Sequence, residues 1–146
     1  MEITTILEEG IRKDHKKNWY IFLLIQKLLV EEHFDWLKVV INHQSKALIG
    51  KGTLGVGFRK YNILFSYSPF HDHRYDRIYI DDRKIEYHHE IHIYGDCSLC
   101  LYHPTIDRPL FQTIPLFRMV PWIGEWIVFY EQWKIYGVWF GKEIKH

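Results

Sequence analysis

Six residues stand out for the chemistry their side chains can do: His88, His89, His92, Cys97, Cys100 and His103, in a chain of 146 residues with ten histidines and two cysteines. A thiolate is a strong nucleophile, and imidazolium or backbone N–H groups beside it stabilise its charge. A cysteine in a long irregular stretch near histidine is therefore a candidate nucleophile. The same residues admit other readings. Cys100 is of a type often buried and inert. Cys97 can hold a loop position, or pair with Cys100 as an oxidation cap that blocks the nucleophile. Cys97-Ser98-Leu99-Cys100 with His88, His89 or His92 has zinc-type ligands, but a lone Cys-x-x-Cys is a weak metal signal. No metal and no cofactor is expected. His103 can tune the thiol or an attacking amine, although in extended chain it points away from residue 100.

These residues need elements to hold them. Residues 1–13 carry mixed charge and read as a short helix or a loose arm. Asn18 to Glu32 reads as a helix with two adjacent apolar stripes, Phe22, Ile25, Leu29 and Ile21, Leu24, Leu28, which predict a wide face packed on a sheet. Trp36 to Ile41 is a β-type run. Ala47 to Gly57 contains Gly50, Gly52, Gly55 and Gly57, which predicts a strand with a bare outer face or a bulge. Tyr61, Ile63, Phe65 and Tyr67 alternate with Asn62, Leu64, Ser66 and Ser68, a strand signal. Arg77 to Asp81 predicts a fourth strand before an Asp81-Asp82-Arg83 turn. The spacing is that of an antiparallel meander. Residues 83–112 read as irregular. A second helix is expected to start at Pro121 and end before Gly137, with Trp122, Trp126, Tyr130 and Trp133 along one side as core. Trp139 and Phe140 then pack before the tail frays. The predicted class is α+β, helix, four-stranded antiparallel meander, active-site segment, helix, in one domain over 1–146.

Composition excludes several functions. The chain is 47% hydrophobic and 17% aromatic, which rules out general disorder. Its net charge of +1 gives no field for polyanions, so no nucleic-acid partner is expected. The longest apolar run, Trp19 to Val30, contains Gln26 and Lys27 and is too short to span a bilayer, so no membrane association is expected. Glu2, Glu8 and Glu9 stand where a secretory signal would be basic, and two cysteines make no disulfide scaffold. A cytoplasmic, reducing location is expected.

The stretch His92-Ile93-Tyr94-Gly95-Asp96-Cys97-Ser98-Leu99-Cys100-Leu101 resembles the active-site segment of ubiquitin-conjugating enzymes. It is more similar to the bacterial members of antiphage (CBASS-type) defence operons. The matching blocks are His92-Ile93-Tyr94, Ser98-Leu99-Cys100-Leu101-Tyr102, Pro121-Trp122-Ile123-Gly124-Glu125-Trp126, Tyr130-Glu131-Gln132-Trp133 and Gly137-Val138-Trp139-Phe140-Gly141. Ser68-Pro69-Phe70 is similar to the proline turn after the family's third strand. The resemblance implies a thioester at Cys100. It puts His92 where eukaryotic members have the oxyanion-binding Asn, and Glu90 where they have His. A donor there is worth about 3 kcal/mol in a transition state. The bland reading of His92 is a turn-stabilising side chain.

The chain also departs from the family. Cys97 stands for its usual Gly, and Asp107-Arg108-Pro109-Leu110-Phe111 stands where a Trp is usual. The eukaryotic C-terminal helices have no counterpart. Nor does an adenylating domain, which implies either activation of the incoming carboxyl by a separate enzyme or arrival of the substrate by another route.

The function so implied is transfer of a protein C-terminus, that of a cGAS-like nucleotidyltransferase, from Cys100 to an amine in cyclic-oligonucleotide antiphage signalling. The alternative is a non-catalytic module that holds the partner's tail. The candidate site is Cys100 and His92, with Cys97 and His103 auxiliary. His71-Asp72-His73 and His88-His89 read as solvated loops. Arg12-Lys13-Asp14-His15-Lys16-Lys17 reads as a solvated helix start, or as a dock for an activating partner or a source of acceptor lysines. The transfer role requires a sulfur that ionises, meets solvent and sits in a rigid groove.

Overall fold

A computed structural model describes residues 3–81, 85–102 and 114–141, with side chains described from residue 9 onward. His103, the Asp82-Arg83 part of the expected turn, Asp107 to Phe111 and the tail beyond Gly141 lie outside the described residues. The chain opens with α1 (Ile3–Lys17), a helix rather than a loose arm, and α2 (Trp19–His33). Arg12 and His15 tie α1 down instead of lying in solvent. The Arg12 Nε donates to the Pro69 carbonyl at 3.1 Å, and the His15 ring stacks on Phe22 with centroids 4.1 Å apart. His15 Nδ1 also meets the Tyr75 hydroxyl at 2.9 Å.

The orientation of α2 corrects the sequence reading. Its buried residues are Leu23, Gln26 and Val30, while Ile21, Ile25 and Leu28 are more than half exposed. A helix apolar on nearly every side has no polar face to orient it by pattern alone. Gln26 helps settle the rotation. Its Oε1 accepts from the backbone N–H of Leu116 at 3.0 Å, so a polar side chain turns inward to satisfy a helix terminus.

Four strands follow as the expected meander: β1 (Leu37–Asn42), β2 (Ala47–Val56), β3 (Arg59–Tyr67) and β4 (Asp76–Ile80), in the order β1-β2-β3-β4, all antiparallel. Tyr61, Ile63, Phe65 and Tyr67 are buried, as their alternation predicts. The glycines of β2 do not bulge the strand, since its pairing with β3 is unbroken, and Gly50 and Gly52 lie against Phe65 and Trp36 while only Gly55 faces open space. Gly50 sits opposite Phe65 on the buried side. A Cβ there would fall 2.1 Å from the Phe65 ring, so the glycine makes room for the aromatic.

The second long helix, α3 (Leu116–Tyr136), starts at Leu116, not at Pro121. Pro115 precedes it, the Leu116 N–H is met by Gln26, and Pro121 falls inside. Proline lacks one donor, but a long helix with a well-packed face tolerates the loss. The apolar side of α3 is Leu116, Met119, Val120, Ile123, Trp126, Ile127 and Tyr130, so Trp126 is core as expected while Trp122 and Trp133 are half-buried. Gly137 closes the helix at φ +71, the left-handed cap that glycine adopts without a Cβ clash. Among the described residues no helix is long and apolar enough to cross a membrane.

Candidate active site

The segment after β4 folds back on itself as a small hairpin. Ile93 bridges Leu99, the Cys100 N–H donates to the His92 carbonyl at 3.0 Å, and the Tyr94 N–H donates to the Ser98 carbonyl at 2.9 Å. Gly95 and Asp96 make the turn, closed by the Cys97 N–H on the Tyr94 carbonyl at 2.8 Å. Asp96 Oδ1 accepts from the backbone N–H and the hydroxyl of Ser98 at 2.9 and 2.6 Å. Although partial burial opposes it, these bonds and the guanidinium groups of Arg74 and Arg77 hold the Asp96 carboxyl below its ordinary range. Leu99 N–H donates to the Ile78 carbonyl at 2.8 Å, which docks the hairpin on β4. Ile93 and Leu99 enter the core. The opposite side of the hairpin carries His92, Tyr94, Ser98 and Cys100, by strand alternation.

Cys100 is enclosed. The residue is 3% exposed, and its thiol donates to the Tyr102 carbonyl at 3.6 Å. Burial pushes the thiol up to about 11, against the pull of the Tyr94 hydroxyl hydrogen-bonded to it, a backbone hydrogen bond from Tyr102 and the Arg74 charge. Two of the three requirements of the transfer role are therefore unmet in this conformation: the sulfur is neither open to solvent nor readily ionised.

The surroundings are nevertheless polar. The Arg74 guanidinium lies 3.4 Å from the centre of the Tyr94 ring, and Arg74 also donates to the Ser98 hydroxyl. Arg74 Nε faces Asp76 Oδ2 at 3.8 Å, and the Tyr102 hydroxyl donates to Asp76 Oδ1 at 2.7 Å. Burial raises the Asp76 carboxyl despite Tyr102 and Arg74. Burial and neighbouring acidic groups raise the phenols of Tyr94 and Tyr102, so both remain donors across the working range of pH.

The other expected site residues fall as follows. His92 is half-buried with φ +52, a sparsely populated conformation for a non-glycine residue. Its carbonyl accepts from Cys100 N and from Trp126 Nε1, the latter at 3.0 Å, while its ring stacks on Trp139 at 5.0 Å. Cys97 has φ +67, the backbone region that favours glycine, so it occupies a glycine-type turn position. Both cysteines are free thiols. Among the described residues no three His, Cys, Asp or Glu side chains form a metal-binding group. Glu90 accepts from Trp133 Nε1 at 3.0 Å, and His88 lies 5.0 Å from the Trp133 ring rather than free in a solvated loop. His71 is likewise engaged, 2.8 Å from the Ser66 hydroxyl, while His89 is exposed.

A family model described as Type II CBASS E2 protein matches residues 26–146. The chain belongs to that family. No curated protein and no solved structure matches it. The order of helix, antiparallel meander, cysteine-bearing segment and helix is compatible with the ubiquitin-conjugating fold expected of a type II CBASS E2 protein.

Sequence reasoning missed Arg74 and Asp76. Neither lies in a motif block, and Asp76 meets Tyr102 across 26 residues of chain. Tyr94 and Tyr102 were visible only as members of the blocks around Cys100. Charged residues beside a strand that also carries apolar Ile78 and Ile80 are the one signal that pointed to this cluster.

Proposed function

We propose that this CBASS E2 protein is a cysteine transferase that carries the C-terminal carboxyl of a cGAS-like nucleotidyltransferase on Cys100. A separate activating enzyme supplies that carboxyl as an adenylate or thioester. The Cys100 sulfur attacks the carbonyl carbon, the C–S bond forms, the bond to the activating group breaks, and the thiol proton leaves to solvent. An amine, such as a lysine of a bacterial target, then attacks. A C–N bond forms, the C–S bond breaks, and the amine proton passes to water. His92 serves as the oxyanion donor, Cys97 holds the glycine-type turn beside the sulfur, and His103 tunes the amine.

The observation that carries this reading is the polar lining of the sulfur. An inert core cysteine sits among apolar groups, whereas Cys100 meets a phenol and a carbonyl with a guanidinium close by. Its enclosure means that charging requires a local displacement of the groups over the sulfur. That same enclosure favours a second reading, a binding module that holds the partner's tail without bonding to it.

Intact mass of the protein co-expressed with its nucleotidyltransferase and activating enzyme separates the two. Transfer predicts an adduct that reductant or excess thiol releases, that Cys100→Ala abolishes, and that Cys100→Ser converts into a thiol-resistant ester. Binding without any adduct, unchanged by Cys100→Ala, establishes the module.

A further inference from the structure

We infer that Tyr94 is a further catalytic residue, its hydroxyl donating to the Cys100 sulfur from the same side of the hairpin while Arg74, stacked on its ring, holds it there. This deepens the transferase reading and rests on it for its place in the reaction. The hairpin register supplies the geometry. His92 pairs with Cys100 and Tyr94 with Ser98, so Tyr94 and Cys100 are diagonal neighbours on one face, within reach of a long aromatic side chain. The phenol hydrogen-bonds the sulfur. The ring is fixed by the guanidinium 3.4 Å from its centre, and that guanidinium is itself held by Ser98 and by Asp76 and Asp96, each at 3.8 Å.

A donor so placed acts twice. It stabilises the sulfur anion that attacks the incoming carbonyl, and it stabilises the same anion when the amine expels it. No proton needs to move from Tyr94 in either step. The groups that bear on the sulfur are Arg74 from the segment before β4, Asp76 on β4, and Tyr94 and Tyr102 from the hairpin and its exit. Of these, Tyr94 and Arg74 favour the anion and Asp76 opposes it.

The test uses the full chain in a Cys97→Gly background, so that one thiol reports. Alkylation of Cys100 by iodoacetamide is followed by mass from about pH 7 to about pH 11, together with the melting temperature. Loss of a hydrogen bond to a charged group lowers the thiolate fraction about tenfold. The more basic thiolate is about threefold more nucleophilic, so Tyr94→Phe is expected to react about three- to fourfold more slowly at fixed pH. Its reactive pH range moves upward accordingly. A merely structural tyrosine predicts the reverse, because loosening the hairpin exposes the sulfur and speeds alkylation. An unchanged or faster rate in a folded Tyr94→Phe overturns the inference. If Tyr94→Phe does not fold, Arg74→Gln decides: slower alkylation, restored by Arg74→Lys, supports it, and an unchanged or faster rate overturns it. Failure of the transferase reading shows instead as no adduct on the wild-type protein, and leaves these rates untouched.

Discussion

Replacing Cys100 by Ala changes sign in its effect on stability between neutral and alkaline pH. At neutral pH the substitution deletes one buried heavy atom and leaves the Tyr94 hydroxyl without its sulfur, a loss of about 1 to 1.5 kcal/mol. Alkali adds a second effect. Burial raises the folded thiol from its ordinary 9.0 to about 11. A group with a raised folded value contributes stability that is whole below the unfolded value and is lost as pH climbs through the folded one. Ionisation of the unfolded thiol therefore draws wild-type stability down by about 1.4 kcal/mol at about pH 10 and about 2.3 kcal/mol at about pH 11. Cys100→Ala has no thiol there and escapes this loss. Tyr94 and Tyr102 also titrate late, but both proteins carry them, so their contributions largely cancel in the difference. The two stability curves are expected to cross near pH 10, as measured by urea unfolding at 25 °C in a phosphine reductant at steps of pH. A difference between the proteins that stays constant from neutral to about pH 10.5 would refute the argument, because it would mean that the native sulfur ionises as easily as the unfolded one.

Three further substitutions test how the frame holds the site. Gln26→Met keeps the volume of a side chain only 7% exposed but strips the acceptor from the Leu116 N–H; urea unfolding is expected to show a loss of about 1–3 kcal/mol, and a neutral result would refute the role of Gln26 in capping α3. Gly50→Ala drives a methyl into the Phe65 ring and is expected to cost about 1–3 kcal/mol, whereas Gly55→Ala, with open space at its Cβ, is expected to leave the melting temperature within a few degrees.

The parts of the fold legible in sequence are those whose cause is local. The β3 pattern of Tyr61, Ile63, Phe65 and Tyr67 needs only the two-residue period of a strand, and it placed all four in the core. Gly137 needed only the end of a helical period, and its φ of +71 is the cap that period implies. The misreadings have long-range causes. The inward face of α2 is selected partly by Gln26, whose partner at Leu116 lies 90 residues away. The start of α3 moved from Pro121 to Leu116 for the same reason, because the donor that a proline start would have removed is met from another helix. Gly50 was read as an absence on the outer face, but the register puts Phe65 against it inside.

The site divides along the same line. Cys100 and Tyr94 were legible as contiguous motif residues, while Arg74 just before β4 and Asp76 at its start also bear on the sulfur and could not be seen in a window around the cysteine. That division bears on how the enclosure of Cys100 is understood. Arg74 Nε and Asp76 Oδ2 are both buried without a hydrogen-bond partner and face each other at 3.8 Å. Such groups destabilise an interior relative to apolar side chains of the same size. A core built only to bury an inert cysteine gains nothing from a guanidinium, a carboxylate and two phenols gathered around it. A sulfur that becomes an anion twice in each cycle, as the proposed transfer requires, does gain, because donors already aligned need not reorganise when the charge appears. On the proposed transferase reading, the raised ionisation of the enclosed thiol would protect it between cycles, and the aligned phenol and guanidinium would act once a substrate carbonyl displaces what lies over it.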